Sequence, residues 1–310
     1  MTSDNGNKVE QVTPYGVGAK TEQVRQMFDS IAPAYDFMNR AMTLGIDIWW
    51  RRLAVKRLKL LKPQHILDVA TGTGDFAIQL HESLHPQHIT GLDMSQGMLD
   101  EARRKVKEKG FENTISFEQG DCMALPMDDE TFDALTVAFG VRNFEHLQQG
   151  YQEMARVLKP GGMLCVLELS TPTNSFIRWF YDVYTLHIIP WIGSMKSGDK
   201  SAYRYLPQSI AAVPQGDDML QLMRTAGFRD ATFKRLTLGV CTIYTAVKEL
   251  LFSFCLDNLE ASRLSRFFGR SGLVLVAQVL DAVDNQLVGD ASLDQGGALS
   301  EINGHFFYTR

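Results

Sequence analysis

Two glycines and three aspartates carry the most legible chemistry in this 310-residue chain. Gly72 and Gly74 stand in Leu67-Asp-Val-Ala-Thr-Gly-Thr-Gly-Asp-Phe76, where an apolar run passes into a Gly-x-Gly turn and then into a helical pattern. Glycine there lets the backbone take dihedrals closed to other residues and approach a ligand closely. The helix start beyond it offers unpaired N–H groups and a positive dipole end, which suit a carboxylate or phosphate. Asp93 closes the next apolar run, nineteen residues past Gly74. A carboxylate so placed can accept hydrogen bonds from both hydroxyls of a ribose. Asp121, in Gly120-Asp-Cys122, follows the third run and could accept from an adenine amino group. Plainer uses compete with each: an ordinary strand-to-helix turn, a helix N-cap at Asp93 and a solvated turn at Asp121.

The elements needed to hold these residues can be read from the periodicity. Strands are predicted at 65–70, 88–93, 115–119, 132–138 and 163–169. Helices are predicted at 75–85, 96–109 and 147–158, the last stopped by Lys159-Pro-Gly-Gly162. This alternation implies crossover connections, hence an α/β fold with a mostly parallel sheet covered on both faces. In such sheets the carboxyl ends of the strands bind ligands, and the three sites all fall there. Two further helices, 21–31 and 46–61, precede the sheet, with Pro33 expected to end the first. Segments 231–236 and 240–247 read as an antiparallel hairpin at the sheet edge, after a helix at 217–226.

Residues 174–205 break the rhythm with eight aromatics and read as an inserted helical segment. Residues 1–20 read as a flexible start, and 249–310 as a poorly ordered extension. That extension contains no lysine, against thirteen in residues 1–248. A net charge of -5 gives no sign of nucleic-acid binding. Four unpaired cysteines without a C-x-x-C spacing, and a polar N-terminus, suit a reducing, cytoplasmic setting. His81, His85 and His88 suggest no metal site, because Pro86 breaks their spacing.

A Gly-x-Gly turn followed by an acid fits NAD or S-adenosylmethionine. Ala77 stands where a third glycine would fall, which does not decide between them. Asp68 before the glycines, the terminal hairpin and the lack of a second dinucleotide-binding half favour a methyltransferase.

The chain resembles the ubiquinone/menaquinone biosynthesis C-methyltransferase family over roughly residues 14–248. The superfamily-wide part of the likeness is the Gly-x-Gly run and Val157-Leu-Lys-Pro-Gly-Gly162. Val24 through Asp36 also matches, and more specific are Phe139-Gly-Val-Arg-Asn-Phe144 and Tyr203-Arg-Tyr-Leu-Pro-Gln-Ser-Ile210. The resemblance implies a class I, Rossmann-like, S-adenosylmethionine-dependent methyltransferase with seven strands, the last antiparallel, over residues 21–248. It implies cofactor contacts at Thr73, Asp93, Asp121 and Cys122, beside Asp68, Gly72 and Gly74. Some members carry a cofactor-contacting serine where this chain has Ala138. It further implies a polyprenylated quinol as substrate, reached by transient contact with the inner membrane surface; a homodimer is left open. Stretches 209–216 and 239–244 resemble the menaquinone branch of the family.

Removing a phenolic proton makes the neighbouring ring carbon more nucleophilic, so the reaction needs a group that stabilises phenolate. Arg142 and Asn143, just past the fourth strand, are the candidates, with Tyr35 lining the substrate mouth. His146 is a tempting base, but its place beside a helix start suits a cap or surface residue. The aromatic insertion would form part of a lid over the prenyl tail.

Overall fold

A computed structural model of the chain describes residues 9, 11–16, 18–185 and 200–249, the side chains of 200–203 excepted. The expectations for 249–310 and for Trp191 therefore lie outside the described residues, Glu249 apart.

Seven strands form one sheet in the order β3-β2-β1-β4-β5-β7-β6. They are β1 (His65–Val69), β2 (His88–Asp93), β3 (Ile115–Gln119), β4 (Phe132–Ala138), β5 (Leu158–Leu169), β6 (Phe228–Leu236) and β7 (Cys241–Lys248). The first five pair in parallel, and β7 lies antiparallel between β5 and β6. Six strands thus run one way and one runs back, as the edge hairpin implies.

Alternate residues of each strand feed two cores. Leu67, Val69, Leu135, Val137 and Val166 point to one face. Ile66, Ile89, Ala134, Cys165 and Leu167 point to the other. Both faces are buried, so the strands read as continuous apolar runs. The helices α3 (Asp75–Leu84), α4 (Gln96–Lys109), α5 (Leu147–Val157) and α8 (Asp217–Thr225) cover the sheet. Helix α4 shows how local chemistry sets boundaries. Ser95 caps its start by accepting from the Met98 amide at 3.2 Å, and Gly110 ends it at φ 72°.

Four further helices overlie the carboxyl ends of the strands or flank the sheet: α1 (Lys20–Thr43), α2 (Ile46–Leu58), α6 (Ser175–Val183) and α7 (Lys200–Ala212). Two expectations fail here for identifiable reasons. Pro33 does not end the first helix, which runs through it to Thr43. Proline removes one helical hydrogen bond, but α1 is held along its length by tertiary contacts. Asp29 accepts from Ser95 Oγ at 2.6 Å and from the Gly97 amide at 3.0 Å, which fastens α1 to the start of α4. The Lys159-Pro-Gly-Gly162 run also does not precede a strand but lies inside β5. The β4–β5 register shifts between Phe132 and Ala134, which absorbs the irregular backbone. A side chain at Gly162 would lie 2.9 Å from the Asp133 carbonyl, so that position requires glycine.

The N-terminal segment enters the core where it is described. Val9 is buried. Its carbonyl accepts from Lys20 Nζ at 2.7 Å, and the same ammonium donates to the Arg142 and Phe144 carbonyls at 3.2 and 3.1 Å.

Candidate active site

Strands β1 and β4 end beside each other, and their last turns define a pocket. Ala70 and Phe139, directly beyond them, both take left-handed backbone conformations at φ 53° and 59°. Such conformations are unfavourable for residues with a side chain and concentrate at functional sites. Gly140 makes the junction close: a side chain there would lie 2.6 Å from Ala70 Cβ and 3.0 Å from Val137 Cγ1. Above this junction lies a pocket of about 550 Å³, lined by Gly72, Asp93, Met94, Cys122, Ala138 and Gly140 among others. Helix α1 supplies its outer wall through Val24, Phe28 and Tyr35.

The polar groups of this pocket come from turns. Gly72 adopts φ 57° and donates its amide to Asp93 Oδ2 at 2.8 Å. Asp93 Oδ1 accepts from the Ser95 amide at 2.9 Å. Asp93 is therefore not the N-cap of α4, a role Ser95 fills; it ties the turn after β1 to the end of β2. Burial raises the Asp93 pKa, opposed by those amides. A carboxylate has about four acceptor positions, so capacity remains after the amides of Ser95, Gly72 and Met94 are served. Burial, and then Asp121 and Asp93, push the Cys122 thiol well up, so it stays protonated.

The other sequence-predicted residues divide. Asp68 is buried beneath the glycine turn and accepts from Thr71 Oγ1 and Thr136 Oγ1, each at 2.6 Å. Burial raises its pKa to about 6. With Gly72 and Thr73 it lines a smaller side pocket of about 320 Å³. Thr73 donates its hydroxyl to Asp36 of α1 at 2.6 Å, and Lys105 reaches the same pair at 3.2 and 2.7 Å. Gly74, at φ 77°, begins α3 with Phe117 against it. Asp121 does not line the main pocket. Its carboxylate caps its own turn by accepting from the Met123 amide at 2.9 Å, while Gly120 and Cys122 on either side face inward.

A second cavity of about 1260 Å³ adjoins the first across Tyr35 and Phe139, which line both. Its walls are mostly apolar: Met42, Trp50, Leu169, Ile177, Phe180 and Leu206 are examples. Arg142 faces this larger cavity rather than the first pocket. Its guanidinium pairs with Glu168 of β5 at 2.7 Å and donates to the Phe139 carbonyl, and Glu168 also accepts the Arg142 amide at 3.2 Å. Both partners are buried. Burial lowers the Arg142 pKa, but Glu168 and other neighbours outweigh it, so the group stays cationic. Asn143 lines the first pocket and accepts from Tyr205 Oη at 3.2 Å. Tyr35 stacks edge-on against Phe28 at 6.0 Å. His146 is exposed at the N-cap position of α5 and lines neither cavity.

Sequence reasoning missed Glu168, whose signal was a carboxylate inside the apolar run Leu164-Cys-Val-Leu-Glu-Leu169. A charge so buried needs a partner. It also missed the ion network that clamps α1 and α2 onto the glycine turn: Arg40 to Asp47, Arg40 to Asp75 at 2.6 Å, and Arg51 to Asp47 at 2.6 Å. The aromatic insertion is partly placed. Ile177, Phe180, Tyr181 and Tyr184 line the large cavity, yet no residue of α6 is fully buried.

Comparison with known proteins places this architecture. The model of the ubiE/COQ5 methyltransferase family matches residues 17–248. The chain is 51% identical over 240 residues to a demethylmenaquinone methyltransferase of Bacteroides fragilis, covering 77% of this chain and 98% of that protein. It is 43% identical over 241 residues to the Porphyromonas gingivalis protein of the same name, covering 77% and 98%. It is 42% identical over 244 residues to the ubiquinone/menaquinone biosynthesis C-methyltransferase UbiE of Geobacter sulfurreducens, covering 78% and 95%. Among solved structures it is similar in fold to the cyclase SpnF, with a TM-score of 0.56 at 20% identity over 74% of this chain and 96% of that one. A putative methyltransferase solved with the Haloferax volcanii Trm112 activator gives 0.52 at 17% identity, over 72% and 97%.

Proposed function

The chain belongs to the ubiE/COQ5 methyltransferase family, and we propose that its smaller pocket holds S-adenosylmethionine while its larger cavity holds reduced demethylmenaquinone, a polyprenylated quinol that is methylated on a ring carbon. The observation that carries this reading is the meeting of two unlike cavities at one wall, Tyr35 and Phe139.

The smaller pocket suits an adenosyl group. Glycine backbone at Gly72 and Gly140 permits close approach, and apolar side chains flank it. The buried Asp93 carboxylate keeps acceptor capacity for ribose hydroxyls. Cys122 contributes a neutral wall. Asp68, Thr73 and Gly74 shape the turn, with Asp121 holding the loop behind Cys122. When bound, S-adenosylmethionine supplies a methyl group already activated by its sulfonium.

The remaining work falls to residues of this chain. Tyr35 and Phe139 set the passage between donor and acceptor and keep water from it. Arg142, fixed as a cation by Glu168, stabilises the quinol oxygen as phenolate once its proton has passed to water, and so raises the nucleophilicity of the adjacent carbon. Asn143, oriented by Tyr205, stands at the boundary and helps place that oxygen. Arg142 is a charge stabiliser here, not a base, because Glu168 holds its proton on.

The same reading explains the outer rim. Phe176, Trp179 and Phe180 of α6 are 71%, 61% and 54% exposed, and Leu44 at the α1–α2 corner is 81% exposed. Phe180 and Leu44 also line the large cavity. An apolar lip continuous with an apolar cavity suits a prenyl tail drawn from a membrane surface. Among the described residues no helix is long and apolar enough to cross a membrane. The relatives named for demethylmenaquinone support the menaquinone ring.

The test is transfer of labelled methyl from S-adenosylmethionine to reduced demethylmenaquinone and, in parallel, to the reduced demethylated ubiquinone precursor. Transfer to the first alone is expected. Transfer to both would widen the activity to two rings. Transfer to neither, with the cofactor still bound, would overturn the assignment of the large cavity.

A further inference from the structure

Arg51 lines the large cavity beside Arg142, in addition to its place in the network that clamps α1 and α2. It is 6% exposed. Its Nη1 donates to Asp47 at 2.6 Å, and Asp47 is already engaged by Arg40 and by Thr43 Oγ1 at 2.8 Å. In each arginine, Arg51 and Arg142, the bonds to protein run through Nη1, and Nη2 has no hydrogen-bond partner among the described residues; Nε is sealed in and unpaired. Leaving the N–H of a buried cation without an acceptor is unfavourable, and native structures rarely do so without a reason.

The two guanidinium groups are held by one residue. Arg51 stands over the Phe139 ring, 5.4 Å from its centroid, while Arg142 donates to the Phe139 carbonyl. Each is backed by its own carboxylate, Asp47 for Arg51 and Glu168 for Arg142. Tyr35 lines the cavity beside both. An otherwise apolar cavity therefore ends in two separately anchored cations, each with an unserved N–H. A purely aliphatic ligand would leave both unserved. A ring with an oxygen on each of two opposite sides would serve them both.

We propose that Arg51 is a substrate-binding residue that takes the second ring oxygen of the quinol, the one far from the reacting carbon, while Arg142 takes the near one. Asp47 is its positioning residue, fixing the guanidinium in the plane needed to reach into the cavity. This rests on the assignment of the large cavity to a quinol. The two-point grip fixes which ring carbon faces the smaller pocket, since rotating the ring would strip one oxygen of its cation.

The test pairs two proteins with two acceptors: wild type and Arg51→Met, each with the reduced quinol and with the analogue that lacks the far hydroxyl. Wild type is expected to lose roughly 10- to 100-fold in kcat/KM on the analogue, the range for a hydrogen bond to a charged group. Arg51→Met is expected to show a similar loss on the full quinol and little further loss on the analogue. Equal sensitivity of both proteins to the missing oxygen would overturn the proposal. A single cooperative denaturant-unfolding transition, expected to persist in Arg51→Met, reports whether the variant folds. Should it not fold, Arg51→Lys keeps the charge and moves the donor. It is expected to weaken discrimination against the analogue, and undiminished discrimination would overturn the proposal. Failure of wild type to methylate either acceptor would instead sink the quinol assignment itself.

Discussion

The smaller pocket takes its polar groups from turns at the ends of β1 and β2, whereas the larger cavity takes its from side chains sent in by α2, β5 and the turn after β4. In the first, a few adjacent residues settle the geometry: Gly72 turns, and its amide lands on Asp93 one strand away. In the second, key polar groups depend on partners distant in sequence, as Arg142 does on Glu168 and Trp50 Nε1 on Thr237 Oγ1 at 2.7 Å. Backbone-built sites tolerate change in side chains. Side-chain-built sites fail when one partner is lost.

The sharpest break of this contrast is Glu168→Gln. It leaves the Arg142 guanidinium buried without its counter-charge, which is expected to cost about 3–5 kcal/mol of stability. Denaturant unfolding reads this directly. A loss below about 1 kcal/mol would mean that the pair is solvated and that the larger cavity is not built as described.

On the other side, Asp68 gives a pH signature. Its pKa rises from an ordinary 3.8 to about 6 in the folded protein because burial disfavours the charge. The folded state therefore holds a proton that the unfolded state releases. This contribution to stability is fully present below about pH 4, is lost as pH rises through about 6, and is level above that. The shift of roughly two units corresponds to about 3 kcal/mol at most. Asp68→Asn, which can still bond both threonines, is expected to flatten that part of the stability–pH curve. An unchanged slope between pH 4 and 6 would contradict a desolvated Asp68.

The smallest effect belongs to the rim. Phe176→Ser with Trp179→Ser, neither of which lines the cavity, is expected to reduce turnover of long-chain quinol in phosphatidylglycerol-containing vesicles roughly tenfold, since exposed aromatics add apolar area to a membrane contact. Turnover of a short-chain quinol in solution should be unchanged. Equal losses on both would show that α6 shapes the cavity and does not meet a surface.

The same contrast explains what could be read in advance. The bounds of β2, β3, β4 and α4 follow from local alternation and caps, and the structure reproduces them. The glycine turn and Asp93 are likewise local, and the structure brings them together. Arg51 was illegible for the opposite reason. In Ile46-Asp-Ile-Trp-Trp-Arg-Arg-Leu53 nothing distinguishes Arg51, which is buried, from its neighbour Arg52, which is exposed. Only the approach of β4 and α1 decides which one turns inward. Pro33 was misread because local propensity yields to the contacts that pin α1 at Asp29, Asp36 and Arg40.

Helix α1 walls both cavities: Val24 and Phe28 face one, Asn39 and Met42 face the other, and Tyr35 faces both. It is one continuous helix of 24 residues, so the two walls belong to one rod. Whatever restraint one ligand places on this rod is restraint the other need not supply. On the proposed assignment the two ligands are linked through this helix, and any effect of one on the affinity of the other is returned by the same factor. On that assignment, the helix is the term the two sites share.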